Sequence, residues 1–293
     1  MQLTIKNLSK TYDNGVVALD NLTLEVGTGL FGLLGPNGAG KSSLMRTLST
    51  LQSADSGEIN FNGFDVLQQK SEIRNTLGYL PQEFGVFPKI SAFKLLDYYA
   101  LLKGLGHKKQ RREMVDDLLN LVNLYQDKNK NVHEFSGGMK QRFGIAQALI
   151  GDPKLIIVDE PTAGLDPGER VRFNNLLSQT GEDRIVILST HIVDDVSDLC
   201  SDMAIINKGK VVKNGVPRDL IKELEGKVWE KPIHKNEYED YKKQYQIIHS
   251  RLQGGHPLIH VWSDEMLEDD FINVPPKLDD VYFTAINSQS QRV

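Results

Sequence analysis

The chain has 293 residues, with 40% apolar and 25% charged residues, a formal net charge of −5 and one cysteine. This length accommodates one large domain and a smaller unit, and the composition is that of a globular protein. The acidic balance offers no electrostatic case for a nucleic-acid partner, and one cysteine excludes an internal disulfide. The sequence begins without a signal-peptide pattern and no window approaches the roughly 20 apolar residues of a membrane span, so we expect a cytoplasmic protein.

The first part of the chain reads as an antiparallel β layer. Residues 3–8, 16–19 and 22–26 carry alternating or apolar strand patterns, and Asp-Asn-Gly at 13–15 marks a turn. Tyr12 precedes that turn. Its ring could stack on a nucleotide base, although a tyrosine in such a place is more often only the end of a strand.

A glycine-rich loop follows an apolar run at residues 30–34 and precedes a helical pattern that begins at Lys41. It has the form G-x-x-x-x-G-K-S, and strand, loop and helix stand in the order that a phosphate-binding loop requires. Lys41 supplies a positive charge for β- and γ-phosphates, and the Ser42 hydroxyl is a candidate Mg²⁺ ligand. The predicted nucleotide-binding residues of this segment are Gly35, Pro36, Asn37, Gly38, Ala39, Gly40, Lys41, Ser42 and Ser43.

Two strand patterns come next, and the sequence then becomes helical. Residues 56–63 and 77–82 read as strands, the second of which ends in Gln82, and an α-helical insertion is predicted at about 83–150. Within it we expect helices from Ser91, over residues 111–124, and after Ser136. Ser136 is a plausible N-cap, and the two glycines after it leave the helix N-terminus open to an anion, although an ordinary cap would look the same.

Two later strands end in polar residues. The apolar run at 155–158 leads into Asp159 and Glu160, and the strand at 184–190 leads into His191. Ligands of parallel sheets sit at the carboxyl ends of their strands. We therefore expect Asp159 to hold Mg²⁺ and Glu160 to orient or deprotonate an attacking water. The pattern also predicts a helix to about residue 178 and a hairpin at 204–215.

The remaining residues, 223–293, predict a small α+β appendage with strands near 226–230, 247–252 and 258–262 and a helix at 236–244. Leu278, Val281 and Tyr282 share one face of a final helix. The tail also contains His234, His256 and His260, but their spacing matches no metal-binding pattern, so the sequence predicts no metal site there.

From Tyr12 to His191 the motifs resemble, in order, those of the nucleotide-binding subunits of ABC transporters. Phe135-Ser-Gly-Gly-Met139 is similar to the signature of that family, although methionine stands where glutamine is usual. Three segments look like those found in the branch of ABC-2-type exporters: this one, residues 163–166 and the element at 275–283. The fold implied is a phosphate-loop ATPase core, residues 1–222, with a mixed α/β sheet, the antiparallel layer and the helical insertion.

The resemblance also implies roles for single residues. Tyr12 would stack on adenine, Gln82 would reach the metal and the attacking water, and His191 would contact the γ-phosphate. Asp166 would cross a dimer interface, while Ser136 and Gly138 would complete the site of the other subunit. The metal ligands would be Ser42, Gln82 and Asp159, and the catalytic residues Glu160, His191, Gln82 and Lys41.

The function implied is that of an ATPase subunit that uses ATP and Mg²⁺ to power a separate membrane permease, most simply an exporter. It would pair with a second ATPase subunit, as a homodimer or a heterodimer. Binding to the permease would hold it at the cytoplasmic face of the membrane. The alternative is a soluble ABC ATPase that acts on ribosomes or nucleic acid. Such proteins usually carry two ATPase halves or a long coiled coil, and this chain has one motif set and no heptad run.

Overall fold

The computed structural model describes residues 1–82, 85, 89–267 and 270–290. The strands, in chain order, are β1 (Gln2–Thr11), β2 (Val17–Gly27), β3 (Gly29–Leu34), β4 (Ser56–Phe61), β5 (Phe64–Asp65), β6 (Leu77–Leu80), β7 (Leu155–Asp159), β8 (Ile185–Thr190), β9 (Asp202–Asn207), β10 (Lys210–Gly215), β11 (Val228–Pro232), β12 (Gln246–Gln253), β13 (His256–Trp262) and β14 (Ile272–Asn273). The helices are α1 (Lys41–Leu48), α2 (Lys70–Thr76), α3 (Ala92–Leu102), α4 (Lys108–Leu121), α5 (Gly137–Ala148), α6 (Pro167–Thr180), α7 (Val193–Leu199), α8 (Pro217–Lys222), α9 (Tyr238–Gln244) and α10 (Leu278–Ser290).

The predicted antiparallel layer is a sheet in the order β2-β1-β4-β5. The prediction of two separate strands at 16–19 and 22–26 is wrong, because residues 17–19 and 22–26 belong to the single strand β2. Polar residues 20–21 interrupt the apolar pattern of this strand, but Asn21 adopts φ of 50° and donates its backbone N–H to Ser9 Oγ at 3.0 Å. Asparagine tolerates this left-handed conformation, so the irregularity becomes a bulge in a continuous strand.

The central sheet has the order β10-β9-β3-β8-β7-β6, and it is parallel apart from the antiparallel edge strand β10. Its inner strands are buried on both faces. Phe31 and Ile157 pack towards the antiparallel layer, whereas Leu34, Ile156 and Leu188 pack towards the helices. This explains why the strands read as unbroken apolar runs. The expected mixed α/β fold with an antiparallel layer is therefore confirmed.

The helical insertion is present, with helices α3, α4 and α5, and its first residues, 83–84 and 86–88, lie outside the described part. Ser91 caps α3 as its side chain accepts from Lys94 N, and α4 begins and ends earlier than the predicted 111–124. The short helices α2, α7 and α8 were not predicted. None of the helices in the described part of the chain combines the length and apolar character of a membrane span.

The C-terminal elements form a separate sheet in the order β12-β13-β11-β14, with α9 beside it. The predicted strands and the predicted helix of this tail are confirmed. The last helix, α10, packs against β12 and also against α7 and α8. Leu278, Val281 and Tyr282 are buried there, as their shared helix face predicted.

One buried carboxylate ties the segment after β7 to the segment after β8. Asp195, on α7, is fully buried and accepts hydrogen bonds from Thr162 Oγ1 (2.6 Å), Arg170 Nε (2.8 Å) and Asn174 Nδ2 (3.3 Å). The loop that leaves the end of β7 and the first turns of α6 are thus held against α7. A buried carboxylate with these partners is fully paired.

We expect Asp195→Ala to lower the free energy of unfolding by about 2–4 kcal/mol, because it leaves a partly buried guanidinium and two polar groups without their acceptor. Chemical denaturation of the full chain measures the change. Asp198→Ala, on the exposed face of the same helix, is the matched control and should change stability by no more than about 0.5 kcal/mol. Equal effects of the two substitutions would contradict this account.

Candidate functional site

The loop at residues 35–42 connects β3 to α1 and folds around the ammonium group of Lys41. Lys41 Nζ donates hydrogen bonds to two loop carbonyl oxygens, those of Gly35 (2.7 Å) and Pro36 (3.3 Å). Gly40 has φ of 107°, and a side chain there would collide with a backbone carbonyl of β2. The loop geometry therefore requires glycine at this position.

Lys41 is a buried cation beside two carboxylates. Its side chain is 5% exposed, and its Nζ lies 3.7 Å from Glu160 Oε1. Burial lowers the pKa of Lys41, and the negative charges of Glu160 and Asp159 oppose that shift. The positive charge of the loop is thus held at the carboxyl end of β7, where the two acidic residues were predicted.

Glu160 occupies the first position after β7 in a left-handed conformation, with φ of 48°. Its backbone N–H donates to Ser189 O at 2.8 Å, which continues the pairing of β7 with β8 by one residue. Its Oε2 lies 2.9 Å from His191 Nδ1. Positive φ at a residue other than glycine is uncommon and clusters at functional sites. Glu160 therefore stands between the loop lysine and the histidine.

Asp159 ends β7 and is 5% exposed. Burial raises the pKa of its carboxyl group, while the hydroxyls of Ser189 and Ser42 and the charge of Lys41 act in the other direction. Its Oδ1 is buried and has no hydrogen-bond partner among the described residues. A buried carboxylate oxygen without a partner, beside a serine hydroxyl, fits a divalent cation that takes oxygen ligands.

Tyr12 stands at the other end of the loop. Its hydroxyl is 2.9 Å from Ser43 Oγ and donates to Gln52 Oε1 at 3.1 Å. These contacts fix the ring beside the N-terminus of α1. The tight turn after Tyr12, closed by its N–H donating to Val16 O at 2.9 Å, brings Val16 to the same wall.

These residues surround a cleft of about 600 Å³. It is lined by predicted residues from the loop, the ends of the central strands and the first turn: Tyr12, Asn37, Gly38, Ala39, Gly40, Lys41, Ser42, Ser43, Gln82, Glu160 and His191. Val16, Ala18 and Ala163 also line it and were not predicted. They carry no functional group, and the only signal for Val16 is its position across the turn from Tyr12.

Six predicted residues are not among those that line this cleft. Gly35, Pro36 and Asp159 lie one or two residues along the chain from lining residues, whereas Ser136, Gly138 and Asp166 lie at the N-terminal ends of α5 and α6. Ser136 caps α5, as predicted, with its Oγ accepting from Met139 N at 3.2 Å. Asp166 caps α6 in the same way, accepting from Glu169 N at 2.9 Å. Both side chains are exposed. The structure therefore places three predicted site residues apart from the cleft: Ser136 and Asp166 face outward, and Gly138 lies buried beside them. We call these three residues the outward-facing set.

Glu169 joins the two capped helix ends. Its carboxylate accepts from Arg142 Nη1 on α5 (2.8 Å) and from Arg172 Nη1 on α6 (2.6 Å). Its side chain also lies against Gly138, where any side chain would collide with it. Gly138 thus leaves room for the Glu169 side chain between α5 and α6, a role that the sequence did not indicate.

The sequence of this chain is similar to those of known proteins. The model of the family described as ABC transporter matches residues 19–163. The chain is 37% identical to the Nod factor export ATP-binding protein I of Cupriavidus metallidurans over 221 residues, 75% of this chain and 72% of that protein. It is 33% identical to the linearmycin resistance ATP-binding protein of Bacillus subtilis over 226 residues, 76% and 72% of the two chains.

A solved structure agrees with these relatives. A dimeric ATP-binding cassette in a post-hydrolysis state, bound to ADP and Pi, superposes with a TM-score of 0.67 at 25% identity, over 73% of this chain and 98% of the cassette. With the phosphate loop, the two carboxylates at the end of β7 and the signature helix in place, the chain belongs to the ABC transporter family, as one of its ATP-binding, ATP-hydrolysing subunits.

Proposed function

We propose that the chain binds ATP with Mg²⁺ in the cleft at the phosphate loop and hydrolyses it to power export through a separate membrane permease of the ABC-2 type. The observation that carries this proposal is the position of Glu160. Its carboxylate lies between Lys41 Nζ and His191 Nδ1, at the mouth of a cleft that the phosphate loop lines.

In the proposed complex, the adenine stacks on Tyr12, whose hydroxyl contacts hold the ring at the cleft wall. The N–H groups of the loop and Lys41 bind the phosphates. Ser42, Asp159 and Gln82 hold the Mg²⁺, which neutralises charge on the phosphates when it is bound. The buried, unpartnered Oδ1 of Asp159 supports this assignment.

Glu160 is the proposed base for hydrolysis. A water oxygen attacks the γ-phosphorus, the bond to the β,γ-bridging oxygen breaks, and the water proton passes to the Glu160 carboxylate. ADP leaves with the electron pair of the broken bond. His191, at 2.9 Å from Glu160, and Gln82 are placed to orient the water and the γ-phosphate.

The outward-facing set, Ser136, Gly138 and Asp166, is proposed to act on a second ATPase subunit. Two capped helix ends that share Glu169 but do not line their own cleft are suited to close the cleft of a partner. The methionine of the signature is compatible with this, because only its backbone N–H bonds to Ser136. Both a homodimer and a heterodimer fit these contacts.

The permease is proposed to dock on the helical insertion, with Gln82 at its root. Helices α3 and α4 of this insertion leave four large apolar side chains exposed, those of Tyr98, Leu101, Leu102 and Leu121. An apolar surface of this kind is typical of a protein interface. The named relatives are export and resistance proteins, which favours transport over a role on ribosomes or nucleic acid. The chain would then lie at the cytoplasmic face of the membrane.

We also propose that residues 1–222 form the nucleotide-binding domain and residues 223–293 a smaller appendage. Residues 1–222 make up about three quarters of the chain, and the match to the solved cassette covers a similar share of the whole chain, 73%. The separate sheet β12-β13-β11-β14 supports the boundary.

Glu160→Gln should reduce the rate of ATP hydrolysis by roughly 10²–10⁴-fold, since the amide cannot accept the water proton, while ATP binding persists. The rate is measured as phosphate release, and light scattering with ATP and Mg²⁺ should show a doubled mass. Glu182→Gln, at an exposed turn before β8, is the control and should retain the parent rate. Full hydrolysis by Glu160→Gln would rule out Glu160 as the base.

Mixing a subunit that has a defective cleft with one that has a defective signature helix tests whether the outward-facing set acts on the partner subunit. Lys41→Ala disables the cleft and Ser136→Arg disables the signature helix, so each chain alone should be nearly inactive. In a mixed dimer, one site would combine both defects and the other would be intact. If the chain pairs with itself, mixing should therefore restore phosphate release. Inactivity of a mixture shown to contain mixed dimers would contradict action on the partner subunit.

Tyr12→Ala should weaken ATP binding by about 1–3 kcal/mol, the usual contribution of a base stacked on an aromatic ring. The dissociation constant is measured by titration in the Glu160→Gln background, where ATP survives. Tyr12→Phe keeps the ring and loses only the contacts to Ser43 and Gln52, so it should remain close to the parent. A parent-like affinity for Tyr12→Ala would exclude stacking.

A further inference from the structure

Two histidines and an aspartate from three elements of the C-terminal part converge away from the nucleotide cleft. His249 lies on β12, His260 on β13 and Asp280 on α10. Asp280 Oδ1 is 3.1 Å from His249 Nε2 and 2.8 Å from His260 Nδ1. One nitrogen from each ring and the carboxylate oxygen lie within 4.8 Å of one another. None of the three residues is used by the proposed ATPase chemistry.

The spacing of these atoms suits a small cation. Ligand atoms of a tetrahedral zinc site lie roughly 3.3 Å apart, because its bonds to nitrogen and oxygen measure about 2.0–2.1 Å. The two distances from Asp280 Oδ1 are about 0.2 and 0.5 Å shorter than that separation. Small rotations of the three side chains would place all three atoms around one ion. The second carboxylate oxygen, Oδ2, is already engaged by Lys277 N at 2.7 Å, which fixes the aspartate at the start of α10.

The surroundings of His260 supply a second and independent indication. This side chain is 6% exposed, and its Nε2 has no hydrogen-bond partner among the described residues. The nearest acidic group to that nitrogen is Glu230 Oε2 on β11, at 3.5 Å. A metal-bound histidine usually presents its outer N–H to a carboxylate, and Glu230 stands where that partner is needed.

We propose that His249 Nε2, His260 Nδ1 and Asp280 Oδ1 form a binding site for a late first-row divalent cation, with Zn²⁺ as its chemical type. Two imidazoles and one carboxylate suit such a metal, whereas Mg²⁺ prefers oxygen ligands alone and retains several waters. The site is therefore distinct in chemistry from the oxygen-rich position at Asp159 and Ser42. The His249 side chain is 14% exposed, so an ion can reach the site from solvent past the His249 ring.

Proton positions change when the ion binds. An ionised carboxylate only accepts hydrogen bonds, so both ring nitrogens that face Asp280 carry hydrogen in the arrangement seen here. The ion needs the lone pairs of these nitrogens. Each ring therefore moves its hydrogen to the nitrogen on its far side, or releases it to solvent if the ring carries two. For His260 the far nitrogen is Nε2, which then donates towards Glu230.

The ion would cross-link the C-terminal helix to the appendage sheet. Asp280 belongs to α10, which packs on α7 and α8, while the histidines belong to the β12–β13 hairpin. The ion would thus tie these elements together, and with three protein ligands it would keep a fourth coordination position for water. The sequence did not predict it because the ligands are separated along the chain, and only the pairing of His249 with His260 across two strands brings the rings together.

The test is a calorimetric titration of the full chain with ZnCl₂, after removal of metals by a chelator and with millimolar Mg²⁺ present to occupy oxygen sites. We expect one zinc per chain. His249→Gln keeps an N–H donor opposite Asp280 but removes the imidazole, and it should weaken zinc binding at least tenfold. His256→Gln, on the same hairpin but outside the cluster, is the matched control and should bind zinc as the parent does.

Melting temperatures provide the second measurement. Zinc should raise the melting temperature of the parent and of His256→Gln, but not of His249→Gln, because an ion that binds only the folded chain stabilises it. If His249→Gln does not fold, Glu230→Ala replaces it, with an expected loss of roughly 10–100-fold in zinc affinity. Absence of zinc binding by the parent, or equal binding by parent and cluster variants, would overturn the proposal and leave a hydrogen-bonded cluster only.

Discussion

The structure depends on a parallel sheet that is buried on both faces. Strands β3, β7 and β8 have no solvent-facing side on which polar residues could be placed, so their polar groups appear only where each strand ends. Because the strands run in the same direction, those ends share one edge. The phosphate loop, the carboxylates at the end of β7 and the histidine after β8 are brought together by this constraint, and the cleft follows from it.

At that edge, Glu160 connects elements that are distant in the sequence. Its backbone N–H extends the pairing of β7 with β8, while its side chain contacts the lysine of the loop and the histidine after β8. The left-handed backbone at Glu160 turns the chain away from the sheet at this residue. Asp195 then holds the departing loop through Thr162. The Glu160 carboxylate is therefore held in place by its own backbone hydrogen bond, by the side chains of Lys41 and His191, and by the loop that follows it.

Local patterns were sufficient to predict much of this site. The phosphate loop, the N-cap at Ser136 and the carboxylates at the end of β7 each depend on residues close together in the chain, and the structure has them as expected. The bulge at Asn21 was missed because a polar pair inside a strand looks the same as a turn between two strands. The Asp195 network and the contact of Gly138 with Glu169 were also missed. They join helices that meet only in three dimensions, and no local pattern reports such contacts.

The return of α10 to the helices of the core has a consequence for any attempt to isolate the ATPase part. Val196, Leu220, Leu224, Val281 and Tyr282 belong to one continuous apolar cluster, so the appendage covers core surface although it has its own sheet. A chain cut after residue 222 would leave the apolar sides of α7 and α8 facing water. The boundary visible in the secondary structure is therefore not a place where the protein can be divided without exposing apolar core surface to water.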